Sequence, residues 1–162
     1  MNQSIRGVFV FGAVGLLLAA GCASGPPSEA QYSGQLDLSA DPVNADVCAR
    51  RNGEDRILDN CTVLGFLEGK GVSFAYQSVA SGTFTPTGAN VQAVHTLTGC
   101  LHGIGCGKLS GPAGGGPTEF SAELTGFLGP YPNVRVMQTM SDLEEDQPLF
   151  VEATVVLGER EQ

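Results

Sequence analysis

Apolar and polar residues alternate one for one through most of this chain, and that period restricts it to half-buried strands. "QYSGQLDLS" (31–39) sets Tyr32, Leu36 and Leu38 on one face. "GVSFAYQSVA" (71–80) does the same with Val72, Phe74 and Tyr76, and "NVQAVHTLT" (90–98) alternates around Ala93, His95 and Leu97. In "TEFSAELTGFL" (118–128), Phe120, Ala122, Leu124 and Leu128 oppose Glu119, Ser121 and Glu123. "NVRVMQTM" (133–140) and "PLFVEATVVLG" (148–158) repeat the pattern. Side chains two residues apart share a face of a strand, so these segments read as strands with one apolar side. Helical spacing is scarce.

Turn chemistry falls between the alternating segments. "NGED" (52–55), "EGKG" (68–71) and "GPYPN" (129–133) each separate two apolar runs and suit hairpin connections. "SDLEEDQP" (141–148) reads either as one capped helical turn or as an acidic loop. Short connections between strands imply antiparallel neighbours. The expected fold is all-β, an antiparallel sandwich or small barrel of about seven to nine strands. Its core would contain Leu36, Leu38, Val63, Leu64, Phe66, Phe74, Tyr76, Val94, Leu97, Phe120, Leu124, Val134, Val136, Val151, Val155 and Leu157.

Between Gly99 and Gly116, eight of eighteen residues are glycine. Glycine reaches backbone angles closed to other residues, and so dense a run predicts a loop or a series of tight bends. The surrounding "LTG", "GKLSGPAGGG" and "FSAELTG" resemble the glycine-punctuated hairpins of small ligand-holding barrels such as the allene oxide cyclase and dirigent group. That resemblance covers about a third of the region after residue 21 and implies a barrel.

The N-terminus follows a different plan. Arg6 precedes an uncharged run from Val8 to Ala20, and Ala19, Ala20 and Gly21 lead into Cys22. A positive start, a short apolar stretch and a small-residue cut site form the layout of a secretory signal. The run is shorter than the roughly 20 residues a bilayer crossing needs. Leu18-Ala19-Ala20-Gly21-Cys22 resembles the lipobox of bacterial lipoproteins, with Ala19 where that family favours Leu. The resemblance implies cleavage before Cys22 and acylation of its sulfur and new amino group. Ala23, where inner-membrane retention often uses Asp, implies the periplasmic side of the Gram-negative outer membrane. The chain then divides into a signal peptide (1–21), a lipidated tether (22–33) and one β-rich domain (34–162). The tether "ASGPPSEAQYS" (23–33) is small and polar with a Pro-Pro pair and is expected to be extended and unpacked.

Charge and cysteine content narrow the function. The whole chain carries a net charge of −9. Its negative field repels nucleic acid and anionic head groups, so no nucleic-acid partner is expected. Four cysteines follow Cys22: Cys48, Cys61, Cys100 and Cys106. An even number in an exported chain favours disulfides. Of three connectivities, the local one, Cys48–Cys61 with Cys100–Cys106, is preferred. The first loop would contribute about 3 kcal/mol in the chain-entropy model.

Both histidines lie near the second cysteine pair. His95, Cys100, His102 and Cys106 offer two imidazoles and two sulfurs that could hold zinc or Cu(I). Their spacing matches no standard zinc signature, and oxidising export favours a disulfide-pinned loop instead. "GIGCGKLS" (103–110) lacks the glycine and hydroxyl positions of a phosphate loop. Nucleophile-elbow, Ser-x-x-Lys and His-Glu-x-x-His motifs are absent. Glu119 and Glu123 fit a solvated strand face, and "DLEED" (142–146) a solvated acidic loop. No cofactor is implied. The sequence therefore points to a lipid-anchored, non-catalytic module that binds an envelope partner or small ligand. A metal-handling module and a small envelope enzyme with a pocket at a barrel mouth stand as alternatives.

Overall fold

The computed structural model describes residues 29–39, 42–116, 119–141 and 149–161. The expected signal peptide (1–21), Cys22, the first part of the expected tether and the segment 142–148 lie outside them. The strands are β1 (Glu29–Leu38), β2 (Ala49–Asn52), β3 (Asp55–Gly69), β4 (Val72–Thr85), β5 (Gly88–Leu101), β6 (Gly105–Gly115), β7 (Glu119–Leu128), β8 (Tyr131–Ser141) and β9 (Leu149–Leu157). One short helix, α1 (Ala45–Cys48), precedes β2. Residues 29–33, expected to belong to an unpacked tether, instead pair with β9, and Tyr32 packs in the core.

Neighbouring strands pair antiparallel in the order β1-β9-β8-β7-β6-β5-β4-β3-β2, and β1 also pairs with β3. That last ladder, Gln35 to Leu38 against Gly65 to Glu68, closes eight strands into a barrel. A sandwich is thereby excluded. β2 is the additional strand, paired with the start of β3. Inward residues follow the ladders around the wall: Cys61, Ala80, Ala93, Ala113, Ala122, Gln138, Ala153 and Tyr32. Extending the Leu36–Leu67 register back to Tyr32 lands on position 71 of the chain, ten residues beyond Cys61. This stagger is the shear that tilts strands in a closed barrel.

The two ends of the interior differ. Toward the β3–β4, β5–β6 and β7–β8 turns, the inward residues are large: Leu67, Phe74, Leu97, Leu109, Leu128 and Tyr131 are buried. Toward the β4–β5 and β6–β7 turns, at the mouth, Ala80, Ala93 and Ala113 form one row and Gly82, Val91 and Gly115 begin the next, which continues through Phe120, Met140 and Val151. Both ends contain buried large side chains, Met140 and Val151 at the second. α1 is fastened at this mouth by the Cys48–Cys61 disulfide, because Cys61 points inward and is fully buried. A bulge in β3 between Leu58 and Cys61 helps to seat it. There Asn60 takes a left-handed conformation (φ 54°), and its carbonyl accepts from the Asn44 side chain. The Asn44 side-chain Oδ1 in turn accepts from the Thr62 N–H at 2.8 Å.

Two expectations about packing need correction. Leu64, Phe66 and Val94 face outward, Phe66 at 65% exposure, and Leu38 lies at an exposed strand end. "CTVLGFL" is apolar at nearly every position, so its phase is hidden; the inward set is Cys61, Val63, Gly65 and Leu67, with Val63 half-buried opposite Ser78. Val94 is displaced outward because His95 occupies the inside. The glycine-dense stretch is also not a loop, since Gly105 to Gly115 form β6. A Cβ on Gly107 would collide with the Phe127 carbonyl, and one on Gly111 with the Glu123 carbonyl, so β6 and β7 approach too closely for side chains there.

Gly107→Ala should therefore destabilise the barrel by at least about 2 kcal/mol in urea denaturation, the scale of overpacking. Gly116→Ala, which meets nothing within 4 Å, should stay within about 0.5 kcal/mol of the parent. Equal effects at the two positions would contradict this reading.

Candidate functional site

Polar residues at inward positions of apolar-faced strands mark the site. Among the described residues, the buried polar side chains besides tyrosine are Ser78, His95 and Gln138. None of the described Asp, Glu, Lys or Arg residues is buried. His95 on β5 stands opposite Ser78 on β4 and Gly111 on β6. Its Nε2 lies 2.9 Å from the Tyr76 hydroxyl, and the two rings meet edge to face with centroids 5.0 Å apart. The imidazole also stacks on Phe120, centroids 5.5 Å apart and planes 19° from parallel.

That stack spans an intervening strand. Phe120 lies on β7, and β6 between them presents Gly111 opposite His95 and Gly115 opposite Phe120. The glycines keep the wall thin, so side chains from β5 and β7 meet across it. The strand is fixed from outside by Ser110, whose hydroxyl donates to the His95 carbonyl at 2.9 Å.

Burial sets the protonation states. Removing the imidazolium from water is costly, and no carboxylate among the described residues faces it, so the His95 pKa falls from 6.5 to about 4. Burial raises the phenol pKa values of Tyr32 and Tyr76. Near neutral pH the lining is uncharged. A neutral imidazole and a phenol share one hydrogen bond at Nε2, its direction set by the imidazole tautomer.

Four buried polar atoms here lack a protein partner: His95 Nδ1, the Tyr32 hydroxyl and both amide atoms of Gln138. Gln138 is 2% exposed and sits between Ala122 and Ala153, with Tyr32 beyond Ala153. An unsatisfied buried polar group costs about 1–3 kcal/mol. Two shallow troughs of about 490 and 350 Å³ lie on the outer wall, and each includes a single carboxylate.

The cysteines and histidines fall in separate places. Cys48–Cys61 and Cys100–Cys106 are disulfides, the second bridging directly opposed residues of β5 and β6. His95 points inside, Cys100 and Cys106 are exposed on the outer wall, and His102 is exposed in the β5–β6 turn. The proposed His95, Cys100, His102 and Cys106 metal set is thus not assembled. An odd separation puts His95 and Cys100 on opposite faces of one strand, and the two sulfurs are bonded to each other. Among the described residues, no group of three His, Cys, Asp or Glu side chains converges on a metal position. Gln138 and Tyr32 were missed by motif reasoning. Their signal was phase: Gln138 is in step with Val134, Val136 and Met140, and Tyr32 with Leu36.

Fold and lining define a small closed barrel with an uncharged, hydrogen-bonding interior. No protein-family model, curated protein or solved structure matches the chain significantly.

The His95 environment predicts a pH dependence. Between about pH 6.5 and 4 the unfolded chain binds a proton at this imidazole that the folded barrel refuses. Its contribution to stability is complete above pH 6.5 and is lost as pH falls toward 4, up to about 3 kcal/mol. His95→Gln keeps an acceptor for Tyr76 but does not titrate. Denaturation midpoints of the variant should fall less steeply over that window; identical slopes would count against a buried neutral imidazole.

Proposed function

We propose that this chain is a lipoprotein of the Gram-negative outer membrane. Cys22 holds it on the periplasmic side, and its barrel acts as a non-catalytic binding module. The observation that carries the binding role is the uncharged interior, where His95, Tyr32 and Gln138 offer hydrogen-bonding atoms without protein partners. The lipobox resemblance at Leu18 to Cys22 supports the anchor. An enzymatic role would need a group that exchanges protons near neutral pH. His95, at about 4 and without a facing carboxylate among the described residues, is poorly suited to that.

The proposal also orients the molecule. Seven Cα steps separate Cys22 from Glu29, a reach of at most about 25 Å. Glu29 pairs with Val156, near the leucine-filled end of the barrel. An anchor at Cys22 would keep that end toward the membrane and turn the mouth beside α1 toward the periplasm. The outer wall suits an aqueous setting, because Gln31, Ser33, Gln35 and Asp37 of β1 and Gln77 of β4 are exposed. Membrane-spanning barrels instead carry an apolar outer band. One acyl chain binds a bilayer weakly and two or more hold it firmly, so loss of Cys22 should release the domain.

In a Gram-negative host, the parent chain should incorporate an alkyne-tagged palmitate and sediment with membranes. Cys22→Ala should lose the tag and move to the soluble periplasmic fraction or remain unprocessed. Unlabelled parent protein, or labelling that survives the substitution, would overturn the anchoring.

A further inference from the structure

We propose that the outer wall across β6, β7, β8, β9 and β1 carries a furrow that binds an uncharged, linear polysaccharide. The furrow lies outside the barrel, so it goes beyond the interior on which the binding-module reading rests, and the two stand or fall separately. The troughs of about 490 and 350 Å³ lie on this wall, and both are lined by Met137 and Thr139, so they meet on β8. Together they cross five neighbouring strands. At about 4.8 Å per strand step, the furrow is about 19 Å long.

Strand parity builds it. Ala113, Ala122, Gln138, Ala153 and Tyr32 follow one another around the wall with side chains directed inward, so backbone alone forms the floor. One bank is the outward row Gly114, Ser121, Thr139, Glu152 and Ser33. Gly114 adds no side chain, and the serines and the threonine rise little above the floor. The opposite bank is taller, with Glu123, Met137 and Gln31.

A chain of sugar rings suits this shape and lining. In an extended β-1,4-linked glycan, the step from ring to ring nearly equals the spacing between strands. Each strand from β7 to β1 then meets one ring with a polar group: Ser121, Thr139, Glu152 and Ser33 in turn. Hydroxyl groups donate and accept, and the Glu152 carboxylate accepts from two neighbouring sugar hydroxyls. The apolar faces of the rings rest on Met137 and on Phe150, which is exposed on β9 two residues before Glu152.

Other occupants fit less well. An extended peptide is recognised by adding a strand to an open edge, and here the floor is already paired on both sides of β7, β8 and β9. An anion would meet Glu152 and, among the described residues, no Lys, Arg or His in the lining. A cation would find little free charge, because Glu123 is paired with Arg135. A hydrocarbon would cover the hydroxyl bank without satisfying it.

The test compares cellotetraose with maltotetraose, which has the same glucose units in α-1,4 linkage and therefore a curved chain. Each is titrated into the ¹⁵N-labelled lipoprotein in dodecylphosphocholine micelles, a detergent without sugar. Cellotetraose should saturably shift the backbone amides of 31–33, 121–123, 137–139 and 152–154, with maltotetraose about tenfold weaker. Thr139→Val removes the hydroxyl common to both troughs and should weaken cellotetraose about fivefold, the loss of one hydrogen bond. Gln77→Leu, on the outer face of β4, should leave the affinity unchanged. Equal response to the two sugars, no saturable shift on this wall, or an affinity unmoved by Thr139→Val would overturn the furrow. Palmitate labelling of the same preparation reads the anchor independently, so the two failures are distinguished.

Discussion

Closure of the sheet by the β1–β3 ladder is the constraint on which the rest of the structure depends. β1 would otherwise be an edge paired only with β9, and β3 would be paired only with β4 along Gly65 to Glu68. Exposed edges invite pairing with other chains, and a barrel removes them. Closure also defines an inside, since every second residue on eight strands must then point toward one axis. The short β2, paired only with β3, carries Arg50 and Arg51, and charged short strands resist edge-to-edge association. The ladder joins segments about thirty residues apart in sequence, and such non-local pairing is slow to form. The Cys48–Cys61 bond lies within that span and shortens the effective loop.

Once an inside exists, its chemistry follows from burial. An eight-stranded barrel has an interior just wide enough for side chains to fill. Here one end is filled by leucines and aromatics, and the other holds the alanine row together with Met140 and Val151. The glycines of β6 let His95 reach Phe120 across the wall, and Tyr76 completes the surround. Desolvation keeps the imidazole neutral, and neutrality lets it share a hydrogen bond with Tyr76 without a counter-ion. The same desolvation makes the unpartnered Gln138 and Tyr32 groups costly.

Much of this was legible in the chain. The strand-period alternation identified an all-β fold, and the turns at "NGED", "EGKG" and "GPYPN" fall between successive strands of the structure. The local disulfide pairing also agrees with the structure. Two features were hidden for physical reasons. In "CTVLGFL" both phases are apolar, so only the bulge and the pairing register decide that Leu67 is inside and Phe66 outside. In β6 the glycines serve close strand approach, which depends on β7 and has no local signature distinguishable from a loop. The site was half visible: His95 alternates in step with Ala93 and Leu97, but its lack of a metal partner follows from strand parity. Gln138 needed the register of β8 before its burial had meaning.

The closure is tested most directly by native-state hydrogen exchange at the backbone amides of Gln35 to Leu38 and Gly65 to Glu68. Amides directed across the β1–β3 ladder should be protected as strongly as the central β4–β5 ladder, exchanging only through global unfolding. Exchange there as fast as on the free edge of β2 would mean an open sheet, and the sealed neutral interior would have no basis.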